Sequence, residues 1–472
     1  MDENTIFQPI NVDQNAGVQQ SEVLVNNPIV PPVPSELPSA PVPSILFKIL
    51  KIVLGIAIVL GIVFFVYNVI LPKLSPSKIN QVKLVYWGLQ EDTLIVAPII
   101  ADFEREHPNI KIEYSKQDIE QYRDRLTIRS NNGNGPDIFR FHNTWVPQLL
   151  DLLLPLPSNV VSKEDFSKNY YPVVTSDLIK NGAIYGVPLQ IDTLNLYINR
   201  NLFQAAGLRA PSTWIEFGNT ARQLTVKDEN NNIKTAGAAM GTFSNINHAP
   251  NIISMLLVQN GVNLNDMSSN LQAAGDALKF YSSFALPTAN VWDDTLDQSI
   301  KAFALGSLAM YFGYSWDFFT IKSMNPGLTF DIYPVPNLPG QNVTIASYWV
   351  EGVSSKTKHQ KEATLFMQYL ARKETAQKLF AIESKTRNFG EPYARVDLLE
   401  SLNNSIAYPF VASAPFAVSS FFVDGTYDNG LNSQMNNYLN IAVDSILKGT
   451  SPQSAAETLS QGISQVLKQY GQ

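Results

Sequence analysis

The chain has 472 residues, 45% of them hydrophobic, so it is too long for one ordinary core and has the apolar content of a globular protein. Its formal net charge of -7 argues against a nucleic-acid partner, because phosphate binding needs a basic face that no stretch of the sequence supplies. The absence of cysteine excludes disulfides, thiolate metal sites, thiol nucleophiles and a lipid-modified N-terminal cysteine.

Residues 1–44 are predicted to form a disordered, acidic and proline-rich tail. The segment contains eight prolines and five acidic residues but no Lys or Arg, and such a composition buries too little apolar surface to fold. A partner that recognises proline-rich segments is the alternative to a plain solvated leader.

Residues 45–72 are predicted to be a transmembrane anchor, joined to the folded part by a polar linker at 73–81. The stretch from Ile52 to Leu71 has no charged residue, and its 20 positions at about 1.5 Å of rise span about 30 Å, the thickness of the hydrocarbon core. A cleaved signal peptide is the alternative, but its apolar region would be shorter and no small-residue cleavage site follows. Lysines flank the stretch on both sides, so positive charge does not decide its orientation.

Strands and helices alternate after the linker. The predicted elements are a strand at 82–87, a helix that ends before Pro108, a strand at 110–114, a helix around Tyr122 and a strand at 137–139. This order predicts a parallel sheet covered on both faces.

Two loops of this sheet follow predicted strands, at the end where such sheets bind ligands. The first contains Gln90 and Glu91, and the second contains His142, Asn143 and Trp145. Carboxylates and amides can bridge neighbouring sugar hydroxyls, and an indole can cover the apolar face of a sugar ring. Gln90, Glu91, Asn143 and Trp145 are therefore candidate ligand-binding residues, with helix capping by Glu91 and lobe packing by Trp145 as the alternatives.

The central stretch from Asn181 to Leu224 has the most strongly patterned sequence. A short hairpin is predicted at 183–185 between two glycines, and the alternation at 194–199 predicts a half-buried strand. Gly207 is typical of a helix end, and Thr213 and Glu216 have the spacing of a capping box at the start of the next helix.

The same stretch resembles a known family. The runs GAIYGVP and LNLYINRNLF, the AGL turn and the helix start PSTWIEF are similar to those of the extracytoplasmic solute-binding proteins of ABC importers, of the family-1 type that includes maltose-binding protein. The resemblance extends over residues 82–469. It implies an α/β, two-lobed periplasmic-binding-protein-like fold with a ligand cleft between the lobes, preceded here by one transmembrane helix.

The resemblance also implies domain boundaries and hinge residues. Lobe 1 is expected at 82–188 and 340–390, and lobe 2 at 189–339 and 391–472. The central stretch would be the first crossing between the lobes, which places Gln190 and Asp192 near the hinge as ligand-binding residues.

Further candidates come from the second half of the resemblance. The run at 302–316 is similar to the family's helix, glycine, strand and cleft tryptophan, which implies a ligand-stacking role for Trp316. Trp292 is expected to line the same wall, and Trp349 lies in a strand expected to return to lobe 1 after the prolines at 334–339. Packing of a buried indole is the alternative for Trp316, and Tyr427 and Asp428 are additional cleft candidates.

No set of catalytic or metal-ligating residues competes with this interpretation. The run GYSWD lacks the second glycine of a nucleophile elbow, the four histidines lack metal-ligand spacing, and no glycine-rich phosphate loop precedes a helix. A pair of glycosidase carboxylates is left open, because such groups need to be close only in space. The sequence thus predicts a protein that is not an enzyme and has no cofactor or metal.

The predicted function is the membrane-anchored, extracytoplasmic substrate-binding component of an ABC importer. The expected partners are a mono- or oligosaccharide, the ABC permease subunits and the membrane through the N-terminal helix, without nucleic acid. The expected location is the plasma membrane, with a single pass and the C-terminal domain outside. The alternative is a solute sensor that signals across the membrane.

Overall fold

The structure is a computed structural model that describes residues 45–70, 81–287, 290–423 and 430–470. The predicted tail at 1–44, most of the linker at 73–81 and the candidates Tyr427 and Asp428 lie outside these residues. The chain divides into two compact units, Met1–Lys78 and Ile79–Gln472.

The first unit contains helix α1 (Ile45–Phe65), which continues as a π-helical turn at Val66–Ile70. Within the part of the chain that the structure describes, Lys48–Val69 is the one helical segment long and apolar enough to cross a membrane, by its length and composition. Its 22 residues at about 1.5 Å each reach about 33 Å. The segment therefore fits a membrane span, and its role as an uncleaved anchor stays a prediction.

The second unit begins with the alternation predicted from the sequence. Its elements up to the first crossing are β1 (Val82–Gly88), α2 (Thr93–Glu106), β2 (Ile110–Lys116), α3 (Tyr122–Asn131), β3 (Ile138–His142), a 3₁₀ turn (Asn143–Trp145), α4 (Val146–Leu149), α5 (Lys163–Asn169), α6 (Pro172–Leu178), β4 (Ile179–Lys180), β5 (Ala183–Ile184) and β6 (Val187–Pro188).

The middle of the unit carries a second set of strands and helices. These are β7 (Asp192–Thr193), β8 (Asn195–Asn199), α7 (Arg200–Ala206), α8 (Trp214–Leu224), β9 (Val226–Lys227), β10 (Ile233–Ala238), α9 (Ala249–Gln259), a 3₁₀ turn (Met267–Asn270), α10 (Leu271–Ser282), α11 (Ser299–Ala304), β11 (Leu308–Gly313), α12 (Ser315–Met324) and β12 (Phe330–Tyr333).

The last part of the chain returns to the first sheet and ends in two long helices. Its elements are β13 (Thr344–Ser347), β14 (Trp349–Val353), α13 (Gln360–Leu370), α14 (Lys373–Glu383), a 3₁₀ helix (Val396–Leu402), α15 (Tyr408–Ser413), a 3₁₀ turn (Ala414–Phe416), β15 (Ala417–Val418), α16 (Leu431–Leu447) and α17 (Pro452–Gln469).

Lobe 1 is built on a five-stranded sheet with the order β2-β1-β3-β14-β6. Strand β1 is parallel to β2 and β3, as predicted, but β14 runs antiparallel to β3 and β6. The sheet is therefore mixed, because β14 enters it after a crossing from the other lobe rather than after a helix on the same lobe.

Lobe 2 is built on a second five-stranded sheet with the order β12-β8-β11-β10-β9. Every residue of β8 is buried, so the prediction of a half-buried strand is wrong. Its two asparagines, Asn195 and Asn199, are polar but face the interior, where Asn195 donates to the Thr193 carbonyl at 3.0 Å and Asn199 caps α7. Their alternation with apolar residues arises from internal hydrogen bonds and not from a solvent face.

A small sheet, here called the hinge sheet, joins the lobes in the order β15-β13-β7. Strand β7 lies between β6 of lobe 1 and β8 of lobe 2 along the chain, and β13 lies between β12 of lobe 2 and β14 of lobe 1. Two of the chain's crossings are thus antiparallel neighbours, with Ala346 opposite Thr193 and Ser347 opposite Asp192. This pairing places the ends of both lobe sheets around one hinge.

The central stretch adopts most of the predicted local structure. Strands β4 and β5 form a hairpin whose turn is Asn181–Gly182, with φ of 51° and 76°, two residues earlier than predicted. Positive φ at both turn positions is the geometry that matches strand twist, and Asn followed by Gly adopts it at little cost. Helix α7 ends directly before Gly207, and the capping box of Thr213 and Glu216 begins α8.

We expect Thr213→Ala to lower the free energy of unfolding by about 1 kcal/mol, because it removes the acceptor for the Glu216 backbone N–H and half of the capping box. Denaturant unfolding of the full-length chain in detergent measures the change. Thr213→Ser keeps the hydroxyl and serves as the control, so an equal loss in both variants would contradict a capping role.

Candidate functional site

A cavity of about 780 Å³ opens at the hinge and is lined by both lobes. Lobe 1 contributes Gln90, Ile119, His142, Tyr348 and Trp349. The hinge region contributes Gln190, Asp192, Ser347 and Glu391. Lobe 2 contributes Asn247, His248, Asn251, Tyr314, Trp316 and Asp317. A single ligand in this cavity would contact both lobes at once.

Strand ends place these side chains at the cavity. Gln90 follows β1 and His142 ends β3, and these strands are parallel in the sheet of lobe 1. His248 follows β10 and Trp316 follows β11, which form the parallel pair of lobe 2. The carboxyl ends of parallel strands in both lobes therefore meet at one site, as open α/β sheets generally arrange their ligand sites.

The aromatic surface of lobe 2 is a stacked pair. The rings of Tyr314 and Trp316 lie 4.4 Å apart with an interplanar angle of 11°. Tyr314 is buried, whereas Trp316 is 39% exposed. The buried tyrosine thus holds one face of the indole and leaves the rest accessible to a ligand.

The aromatic surface of lobe 1 centres on Trp349, which is half-buried at the start of β14. The rings of His142 and Trp145 pack edge-to-face against it at 5.1 and 5.4 Å. Burial lowers the pKa of His142 to about 3, so this ring is neutral at physiological pH. Its nitrogens contact the hydroxyls of Thr144 at 2.8 Å and Ser347 at 3.0 Å.

Asp192 links the hinge sheet to lobe 2. Its carboxylate accepts hydrogen bonds from the backbone N–H of Ser315 at 2.8 Å, from the Ser315 hydroxyl and from the Thr193 N–H at 2.8 Å. Burial raises the pKa of Asp192 well above its ordinary value, and the hydrogen bonds from Ser315 oppose this. The first residue of α12 is therefore held directly by the hinge strand.

Asp317 organises the wall beside Trp316. One of its oxygens accepts from the Tyr314 N–H at 3.0 Å and the Tyr311 hydroxyl at 3.1 Å, and it contacts His248 Nε2 at 2.6 Å. A Cβ atom on Gly313 would lie 2.6 Å from the same oxygen, so only glycine fits there. The arrangement fixes His248 at the cavity surface.

A buried charge cluster lies behind the lobe 1 wall. Arg140 donates to Glu351 at 2.7 Å, to Gln90 at 3.2 Å and to Glu91, and Gln190 donates to Glu91 at 3.4 Å. Burial raises the pKa of Glu351, while Arg140 opposes the shift. Arg140 thus holds Gln90 directly and Gln190 through Glu91, and both glutamines line the cavity.

A second charge cluster, half-buried, carries Glu391 at the cavity edge. Arg387 pairs with Glu383 at 3.0 Å and with Glu391 at 2.8 Å. Burial raises the pKa of Glu383 to about 8 and also raises the pKa of Glu391. As in the first cluster, two carboxylates share a single guanidinium.

Five of the nine residues predicted to bind the ligand line this cavity. They are Gln90, Gln190, Asp192, Trp316 and Trp349. The other four, Glu91, Asn143, Trp145 and Trp292, are buried and do not line it.

Each of these four side chains contacts a neighbouring residue of the protein. Glu91 pairs with Arg140, and Trp145 packs behind Trp349. Asn143 donates to Ser419 at 2.7 Å and to Asp177 at 3.1 Å, and it accepts from the Tyr348 N–H at 3.2 Å. Trp292 donates from Nε1 to Asn245 at 3.1 Å. The structure places these four side chains behind the cavity wall, in contact with residues of the protein.

Sequence reasoning missed most of the lobe 2 wall and the cavity residue Glu391. The rule that ligands bind at the carboxyl ends of parallel strands, applied to β10 and β11, would have selected Asn247, His248 and Tyr314. Glu391 had no such signal, because it follows a helix and a loop without a repeating pattern. Within the described residues, no group of three or more His, Asp or Glu is arranged to hold a metal ion.

Comparisons with known proteins agree with this architecture. A family model described as bacterial extracellular solute-binding protein matches residues 86–377. The Multiple sugar-binding protein of Streptococcus mutans is 24% identical over 365 residues, which cover 71% of this chain and 80% of that protein.

Solved structures establish the fold. The sugar-binding protein MalE from Xanthomonas citri is 20% identical with a TM-score of 0.68, and the match covers 82% of this chain and 98% of MalE. A cyclo/maltodextrin-binding protein complexed with maltotetraose is 19% identical with a TM-score of 0.67, covering 84% of this chain and 99% of that one. The chain is therefore a two-lobed α/β protein that belongs to the bacterial extracellular solute-binding protein family.

Proposed function

We propose that this protein is the substrate-binding component of an ABC importer, that it captures a carbohydrate by hinge closure, and that helix α1 tethers it outside the membrane. The observation that carries the proposal is the cavity that residues of both lobes line, with Trp316 on one lobe and Trp349 on the other. An exposed indole face beside amide and carboxylate groups suits a sugar ring, which has apolar C–H faces and hydroxyls at its edge.

The relatives support the carbohydrate part of the proposal. The curated relative is named a sugar-binding protein, and the matched structures include one complexed with maltotetraose. The ABC permease and the anchoring role of α1 are inferred from the family and from the length and composition of the helix.

The mechanism follows from the position of the hinge. Strands β7 and β13 are short neighbours through which the chain passes between lobes, so a change in a few backbone dihedrals there would rotate one lobe against the other. A ligand that contacts both walls only in the closed form stabilises that form by its difference in affinity for the two states. The closed, loaded form would then be the one that the permease recognises.

We expect Trp316→Ala to weaken carbohydrate binding about ten-fold or more, equivalent to about 1.4 kcal/mol, because it removes the exposed stacking face of lobe 2. Isothermal titration calorimetry of the full-length chain in detergent measures the affinity, after a screen of sugars has identified a ligand. The melting temperature should change little, since the indole is 39% exposed.

Ile215→Ala is the matched control, because Ile215 is an exposed apolar residue of lobe 2 that does not line the cavity. It should leave the affinity unchanged. An unaltered affinity in Trp316→Ala would remove this tryptophan from the site.

A separate prediction distinguishes transport from signalling. Deletion of residues 2–44 should leave uptake of the solute by cells intact, because the proposed function uses only the anchor and the folded unit. Uptake of a radiolabelled solute is compared between the deletion and the full chain at equal expression. Intact uptake with the loss of a transcriptional response to the solute would instead favour the sensor.

A further inference from the structure

The described residues that line the cavity include the carboxylates of Asp192, Asp317 and Glu391 but no Lys or Arg. Charge on a cavity wall selects ligands, since a buried group of the same sign raises the electrostatic energy and one of opposite sign lowers it. The charge that a ligand meets in this cavity depends on whether cations behind the wall pair with these three carboxylates.

Asp317 has its own partner. Its contact with His248 Nε2 is 2.6 Å, and it also receives the Tyr314 N–H and the Tyr311 hydroxyl. Asp317 is therefore fully occupied by neighbouring side chains and backbone of lobe 2, so a ligand would depend on Asp192 rather than on Asp317.

The buried Arg140 and the half-buried Arg387 are already shared, and the buried Arg123 does not line the cavity. Arg140 lies between Glu91 and Glu351, and Arg387 lies between Glu383 and Glu391. Each cluster contains two carboxylates for one guanidinium, so neither arginine has charge to spare for Asp192 or for the cavity.

Asp192 forms no ion pair with any residue that the structure describes. Its partners are the N–H groups of Thr193 and Ser315 and the hydroxyl of Ser315. These are neutral donors, which stabilise a carboxylate without cancelling its charge. The hinge wall of the cavity therefore has an acid without a cationic partner. Burial accordingly raises the pKa of Asp192, and a cationic ligand beside it would stabilise its charged form.

Unused hydrogen-bond acceptors at the same cavity provide a second, independent observation. Gln190 is only 6% exposed, and its Nε2 donates to Glu91, while its Oε1 has no partner among the described residues. Asn436 lines the cavity as well, and its buried Oδ1 also has no partner there. Buried acceptors without donors are costly unless a ligand supplies the missing donors.

We propose that the solute is a carbohydrate carrying a protonated amine, an amino sugar or its oligosaccharide, whose ammonium group is bound by Asp192 and Gln190. An ammonium group offers three donors and no acceptor, together with the positive charge that the cavity wall lacks. The negative potential of the cavity carboxylates disfavours anionic ligands such as uronic acids and sugar phosphates. This inference rests on the proposed function, and it narrows the expected ligand from any carbohydrate to a positively charged one.

The test compares sugars of the same ring that differ in the charge of one substituent. Calorimetry of the full-length chain at neutral pH uses glucose, galactose and mannose, their 2-amino-2-deoxy forms, their N-acetylated forms and the corresponding uronic acids, each also as the β-1,4-linked dimer. In at least one series the amine should bind about ten-fold or more tighter than the parent and N-acetylated sugars.

Substitution of the acid tests the location of the amine. Asp192→Asn should reduce the ratio of amine to parent affinity about ten-fold, because it removes the charge and keeps the shape. Asp294→Asn is the matched control, since Asp294 is exposed and does not line the cavity, and it should preserve the ratio. The comparison of sugars on the unaltered protein stands even where Asp192→Asn fails to fold.

The outcomes separate this inference from the proposed function. Parent, N-acetylated or uronic sugars that bind as tightly as the amine would overturn the inference and leave the carbohydrate function standing. No binding of any sugar in the panel would overturn both. Binding of spermidine, added to the same panel, in place of every sugar would likewise overturn both, because the inference is of a carbohydrate that carries the amine.

Discussion

The attachment of α12 to the hinge is the constraint on which the site depends. A carboxylate is costly to bury without a cation, and Asp192 is tolerated because three neutral donors, two of them from Ser315, satisfy it. Ser315 is the first residue of α12, where free backbone N–H groups and the helix dipole both favour a negative charge. The short strand β7 and the helix that carries Trp316 are therefore joined directly by hydrogen bonds.

The cavity is built in two layers, and the second layer explains why several side chains suited to sugar binding do not face it. Trp145 fixes the ring of Trp349, Asn143 holds the backbone of Tyr348, and Glu91 with Arg140 orients Gln90 and Gln190. A wall so supported loses little side-chain freedom when it meets a ligand, which favours affinity.

The order of elements could be predicted from the sequence, because hydrophobic period, turn residues and the capping box at Thr213 are local signals. The two-lobed fold was implied only by the resemblance to a known family. The residues of the site were harder to predict from the sequence. Whether Trp292 or Trp316 faces the cavity depends on packing between segments far apart in the chain, and Glu391 reaches it through a loop without a pattern. The burial of Asn195 also depended on a hydrogen bond that only the folded backbone supplies.

The unequal burial of the indoles gives the molecule a built-in optical signal. The chain has six tryptophans, of which Trp87, Trp145, Trp214 and Trp292 are buried, Trp349 is half-buried and Trp316 is exposed. Water around an excited indole shifts its emission to longer wavelength, so the red edge of the spectrum belongs mainly to Trp316. A solute that covers this ring, or a closure of the lobes over it, would move that edge to the blue, and the occupancy of the cleft is therefore visible without any added label.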